Sequence, residues 1–286
     1  MIKYDCIYDN IRRDNKYFRN VVNGMDKRLI DSHIHIDKYE KSQRDHILSD
    51  LQRVMVDALI AVSNDLESTR RVLRLAAADQ RIKPAIGYHP EQAVPDEREQ
   101  RALIALIEDR KNDIAAIGEI GLPYYLRQEQ PDLDLQPYID LLERFIQKAA
   151  LHGKPVILHA IYEDAVIVCD LLEAYGIQKA HFHWFKGEDK VLKRIVGNGH
   201  VISVTPDVVY EPEIQHIVKQ VPLEQLLVET DGPWPFEGPF EGEVTHPEMM
   251  HHSIEKIAAI KGLELTEVYR RIYKNTCEFY KLEDLL

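Results

Sequence analysis

From residue 29 onward, short apolar runs alternate with longer stretches that place apolar residues at helical spacing. Eight runs have the length and β-branched content of buried strands: LIDSHIHI (29–36), DALIAVS (57–63), IKPAIGYH (82–89), IAAIGEIGL (114–122), KPVILHA (154–160), KAHFHWF (179–185), HVISVTP (200–206) and LLVETDGP (226–233). The clearest helix between them is QPYIDLLERFIQKAALHG, where Tyr138, Ile139, Leu142, Phe145, Ile146 and Ala149 form one stripe. Two more helices are predicted near 246–260 and 265–284. Strand followed by helix, eight times over, predicts a single-domain α/β protein with the (β/α)8 TIM-barrel fold. An open doubly wound sheet usually has fewer strands and often a glycine-rich first turn, which is missing here.

The length of 286 residues suits one barrel. Residues 1–28 mix charge and aromatics without a period. They are expected to be a leader or accessory segment ahead of a catalytic domain at 29–286, and Met25 could be a second start. Lys and Arg total 36 against 48 Asp and Glu, a net charge of −12. That balance argues against sequence-independent capture of nucleic acid by charge alone. It leaves room for an enzyme that meets phosphate through bound cations. Cys6, Cys169 and Cys277 are far apart and make no disulfide framework, so a reducing, cytoplasmic setting is expected. No apolar run is long enough for a membrane span, and the charged start is unlike a signal peptide.

Metal-binding side chains fall at the C-terminal ends of the predicted strands, where barrel enzymes keep their sites. The first strand ends in His33-x-His35, whose two rings share a face. The fourth carries Glu119, the fifth His159, the sixth His181-x-His183, and the eighth Asp231. One such histidine is ordinary packing, but the conjunction is costly to bury unpaired. Imidazole and carboxylate donors suit zinc, manganese, iron or nickel. Counting one of the two sixth-strand histidines, six donors exceed what one catalytic ion needs and fit two ions sharing a carboxylate. This points to metal-assisted hydrolysis. His89, in Gly87-Tyr88-His89-Pro90, either meets substrate or caps its turn. Trp184 and Trp234 adjoin these positions and either wall a pocket or pack. His46, His152, His216, His251 and His252 lie in predicted helices as surface or packing residues.

The stretches DSHIHID (31–37), IGYHP (86–90), AIGEIGL (116–122), KPVILHA (154–160), HFHWFKG (181–187), LLVETDGPWP (226–235) and NTCEFY (275–280) together resemble the TatD family of metal-dependent hydrolases, within the amidohydrolase superfamily. The resemblance runs from about residue 29 to the end. It implies an α/β barrel, two divalent ions, with magnesium joining the candidates, and deoxyribonuclease activity. It implies that His33, His35 and Asp231 hold one ion, that His159 and His183 hold the other, and that Glu119 bridges them. The family's sixth-strand histidine stands four residues before Gly187, which selects His183 and leaves His181 in the inner layer. Asp231 would also accept the proton of the attacking water. The substrate implied is DNA, single-stranded or damaged; no protein partner is implied.

Two departures bear on substrate. Pro123 follows the GEIGL segment where the family commonly has Asp. Ala160 and Ile161 follow His159, and FEGPFEGEVTHP follows the eighth strand, where the family commonly has Arg or Lys. Cations that would grip phosphate are missing. The competing expectation is therefore a dinuclear hydrolase of a small ester, lactone or amide. A non-enzymatic barrel that uses metal structurally or binds a partner is the third reading; the full donor set speaks against it.

Overall fold

A computed structural model of the chain describes residues 27–285. Eight strands form one sheet in sequence order, β1 Leu29–Ile34, β2 Val56–Val62, β3 Ile82–Ile86, β4 Ala116–Gly121, β5 Val156–His159, β6 Ala180–Phe182, β7 Val201–Val204 and β8 Leu226–Val228. Each is parallel to the next. Helices α1 Lys41–Asp50, α2 Leu66–Ala78, α3 Glu97–Arg110, α4 Tyr124–Glu129, α5 Gln136–His152, α6 Asp164–Ala174, α7 Asp189–Gly197, α8 Pro212–Gln220, α9 Met250–Lys261 and α10 Leu265–Tyr280 alternate with and follow them. This is the (β/α)8 barrel. All eight predicted strands are present, though most are shorter than their apolar runs. The leader expected at 1–28 lies outside the described residues apart from Lys27 and Arg28.

Period-two alternation sorts each strand between two apolar layers. In β2, Leu59 and Ala61 join the outer layer under the helices, and Ala58, Ile60 and Val62 join the barrel interior. In β5 and β8, Ile157 and Leu227 point inward while Val156, Leu158, Leu226 and Val228 pack outward. The same parity carries inward the residues two and four further on, which is how His159, Glu229 and Asp231 come to line the C-terminal mouth. The opposite mouth is closed by α10. Tyr273, Cys277, Phe279 and Tyr280 fill the interior from below.

Capping and amphipathicity account for the helices. Asp65 and Asp96 cap α2 and α3 by accepting from the N–H groups of Ser68 and Glu99. Helix α5 carries Pro137 in its first turn and stops at Gly153, whose φ of 60° is left-handed. Its buried stripe is Tyr138, Leu141, Leu142, Phe145, Ile146 and Ala149. Leu141 therefore takes the place predicted for Ile139, which is only half-buried. The helix expected over 246–260 begins as a 3-10 turn, Pro247–Met249, before Met250–Lys261. The last helix ends at Tyr280, because Lys281 turns left-handed. Helix α4, directly after Pro123, was not anticipated.

Between β1 and β8, bonds just beyond β8 join the two strands. Asp231 N–H donates to the His33 carbonyl at 2.9 Å, and His35 N–H donates to the Gly232 carbonyl at 2.8 Å. Below them the buried Asp31 carboxylate accepts from Thr230 N–H at 3.0 Å and from its hydroxyl at 2.6 Å. The segment carrying two of the candidate histidines is thus stitched to the segment carrying the candidate aspartate.

Candidate metal centre

All six residues assigned to the metals meet at the C-terminal mouth, and all are buried. His33 Nε2 lies 3.3 Å from both Glu119 Oε2 and Asp231 Oδ1. His35 Nε2 lies 3.3 and 3.4 Å from the same two oxygens. The two imidazole nitrogens face each other at 3.4 Å. On the other side, Glu119 Oε1 lies 2.7 Å from His183 Nε2 and 3.1 Å from His159 Nδ1, and those nitrogens are 3.3 Å apart. One carboxylate thus turns each oxygen to a different pair of histidines.

The backbone around Glu119 needs glycine. A Cβ on Gly87 would stand 2.3 Å from the Glu119 carbonyl oxygen, and one on Gly121 would stand 1.9 Å from that of His159. Asp231 and Trp184 adopt left-handed φ values of 50° and 39°. Conformations of this kind cost energy and cluster at functional sites.

The chemistry of the donor set fits divalent cations. Glu119 Oε2 and Asp231 Oδ1 are buried without a hydrogen-bond partner, although histidine nitrogens lie within 3.4 Å. Donors that crowd one point without hydrogen-bond geometry are lone pairs aimed at a shared centre. Burial acts to lower His35, but the negative charges of Asp231 and Glu119 beside it outweigh that and lift the imidazole to about 9. Burial alone would raise Glu119 and Asp231; the surrounding histidines hold both carboxylates well below their usual range. Without metal, protons neutralise this cluster; with metal, cations replace them.

His89 also reaches the centre, with Nε2 3.6 Å from Glu119 Oε1. Its Nδ1 accepts from Glu91 N–H at 3.2 Å, so its proton sits on Nε2 and faces inward. Burial pushes this imidazole down to about 3, so the ring is neutral. At 3.6 Å the N–H faces Glu119 without bonding to it, and the position of the ring beside Glu119 and His159 would also admit a ligand.

His181 lies beneath. Its Nε2 is 2.6 Å from Ser203 Oγ and its Nδ1 2.7 Å from the Tyr280 hydroxyl, which ties the floor of the centre to α10. Trp184 packs rather than walls a pocket. Its indole N–H donates to Asp207 at 2.6 Å, and its ring lies against Phe236 and under Lys186. Trp234 is 51% exposed.

Two carboxylates escaped the sequence reading. Glu229 is fully buried, accepts from Trp184 N–H at 2.9 Å, and stands 3.6 Å behind His183 Nδ1. Its parity with Leu227 and Asp231 was a usable signal. Glu91 contacts His159 Nε2 at 3.0 Å from a loop, where no period betrays it.

A further group, His46, Asp50 and His246, lies on and near α1. Arg53 already holds Asp50, and His246 Nδ1 accepts from Glu248 N–H, which leaves the His246 proton on the nitrogen facing Asp50. Asp50 is thus taken up by its ion pair with Arg53, and the protonated His246 nitrogen has no lone pair to offer a cation.

With fold and centre in place, the comparisons with known proteins are direct. The TatD related DNase family profile matches residues 30–281. The chain belongs to the TatD family of metal-dependent hydrolases. An uncharacterized metal-dependent hydrolase from Haemophilus influenzae is 36% identical over 255 residues, covering 89% of this chain and 100% of that protein. Another from Methanocaldococcus jannaschii is 31% identical over 90% of this chain and 98% of its own. The deoxyribonuclease TATDN3 from Homo sapiens is 29% identical over 90% and 97%. Among solved structures, the TatD homologue YJJV from Escherichia coli superposes with a TM-score of 0.81 at 24% identity, covering 90% of this chain and 99% of that one. Among the described residues no helix is long and apolar enough to cross a membrane.

Proposed function

We propose that this metal-dependent hydrolase cleaves phosphodiester bonds, with DNA as the substrate class, and works with two divalent ions. His33, His35 and Asp231 would hold one, His159 and His183 the other, with Glu119 between them. The observation that carries this reading is the division of Glu119, with Oε2 toward His33 and His35 and Oε1 toward His159 and His183. Two bound ions would supply charge stabilisation and a nucleophile at neutral pH. The remaining chemistry belongs to the chain. Asp231 is an ionised carboxylate pinned across the barrel seam to His33, placed to accept the proton of the attacking water. His89 offers an N–H to the same space and can orient a substrate oxygen. The buried Glu229 backs His183 and holds its ring toward Glu119. Membership of the family and the deoxyribonuclease among the relatives support the phosphodiester substrate.

Two observations favour a second reading, hydrolysis of a small ester, lactone or amide. Arg127, after β4, is bound by Asp164 and Glu163. The loop after β8 carries Glu237, Glu241 and Glu243 and no Arg or Lys before His246. Both leave the segments after β4 and β8 without a free cation for a phosphate backbone. The test is a panel on enzyme reconstituted separately with manganese, zinc and magnesium: end-labelled single-stranded DNA, bis(p-nitrophenyl) phosphate, aryl esters, lactones and amides. Metal-dependent cleavage of the phosphodiesters is expected. Turnover of a lactone, ester or amide with inert phosphodiesters would replace the first reading by the second.

A further inference from the structure

Glu91 follows His89 and Pro90 in the loop after β3, and its side chain is 14% exposed. It reaches two neighbouring elements at once. Oε1 accepts from Tyr125 N–H at 2.9 Å and Oε2 from Leu126 N–H at 2.6 Å, at the start of α4. Oε1 also lies 3.0 Å from His159 Nε2. A carboxylate held by two backbone N–H groups is fixed in place, so it fixes whatever else it touches. A carboxylate can only accept, so this contact puts an imidazole proton on His159 Nε2; once a cation replaces any second proton, the Nδ1 lone pair faces Glu119, 3.1 Å away.

The backbone of the same residue does the reverse to His89. Glu91 N–H donates to His89 Nδ1 at 3.2 Å, which leaves the His89 proton on Nε2, the atom facing Glu119. Two histidines 5.2 Å apart therefore present opposite faces to one centre, one a lone pair and the other an N–H.

We propose that Glu91 is a positioning residue that sorts these two histidines: its side chain makes His159 a metal-ligating Nδ1 donor, while its backbone keeps His89 a hydrogen-bond donor. This rests on the two-ion reading above. Outer carboxylates that orient a ligating histidine typically contribute about 10- to 100-fold in metal affinity. Of the two histidines the side chain touches only His159, so its removal should leave His89 untouched.

The experiment titrates zinc into wild-type protein, Glu91→Ala and Glu91→Gln by calorimetry, and records histidine 15N spectra of the zinc-loaded proteins. Wild type should show His159 coordinated through Nδ1 with a proton on Nε2. Glu91→Ala should weaken one of the two zinc ions by about 10- to 100-fold, spare the other, and shift His159 but not His89. Glu91→Gln keeps an acceptor oxygen and should recover part of the loss; it also serves if the alanine variant does not fold. Lower thermal stability with both affinities and the His159 spectrum unchanged would reduce Glu91 to a cap on α4 and overturn the proposal. So would His159 coordination through Nε2, or a glutamine variant as impaired as alanine with an unaltered His159 spectrum. A wild type that binds a single ion through His159 Nδ1 would discard the two-ion reading and leave the role of Glu91 standing.

Discussion

Glu119 and His183 are joined at the centre of the barrel mouth, Oε1 to Nε2, at 2.7 Å, while the other oxygen of Glu119 is turned to the opposite pair of histidines. In the two-ion reading proposed above, a carboxylate in that position would offset the repulsion of two cations and set their spacing. The amide of Glu119→Gln has nearly the same shape but one weak donor oxygen and no charge. Metal affinity should fall at both positions and turnover should collapse, with the unfolding transition of the metal-free protein retained. Measuring metal content and circular dichroism on the same preparation checks this. Full occupancy of both positions in the glutamine variant would remove Glu119 from the bridge.

Metal binding should release protons. His35 is lifted from an ordinary 6.5 to about 9 by Asp231 and Glu119 against the effect of burial, so it is protonated in metal-free protein at neutral pH. Metal must displace that proton, so affinity should rise with pH between about 6 and 8. The same shift has a sign for stability. A raised imidazole stabilises the metal-free fold fully below 6.5 and loses that contribution as pH rises through about 9. Thermal unfolding of metal-free protein should therefore weaken across that window, and bound metal should abolish the loss. Calorimetry in buffers of different ionisation enthalpy counts the protons directly.

Asp231→Asn separates proton transfer from ligation. The amide keeps one donor oxygen but cannot take a proton, and general base assistance is worth about 100- to 10,000-fold. Turnover should drop by that order with both ions retained. Near wild-type turnover with both ions bound would exclude Asp231 as the base, and loss of activity only through loss of an ion would restrict it to ligation.

Tyr280→Phe tests the link from α10 to the floor of the centre. The hydroxyl is the partner of His181 Nδ1, and His181 is fully buried. Leaving that nitrogen unsatisfied should cost about 1–3 kcal/mol of stability. His181 touches neither Glu119 oxygen, so metal stoichiometry should be unchanged. Chemical denaturation with metal analysis distinguishes the two effects.

The sequence made the barrel legible because period-two and helical periodicities changed over at each boundary. It made the centre legible because histidine and carboxylate rarely end so many buried strands, although only the family resemblance chose His183 over His181. Strand lengths were overestimated. His35, His183 and Asp231 lie just past β1, β6 and β8 but keep an apolar, inward-facing context that reads like strand. Glu229 could have been found from its parity with Asp231. Glu91 could not, because its contacts join loops and a short helix that meet only in the folded chain. Helix α4 was hidden for the same reason: its first N–H groups are satisfied by Glu91, 34 and 35 residues away in the chain.

The central claim is that one carboxylate divides the centre between two ions, and the most direct measurement is metal content per chain. Protein stripped of metal, reconstituted with manganese or zinc and dialysed at neutral pH should saturate at two ions per chain by elemental analysis, with Glu119→Gln falling well short. Saturation at one ion per chain in the wild type would contradict the account.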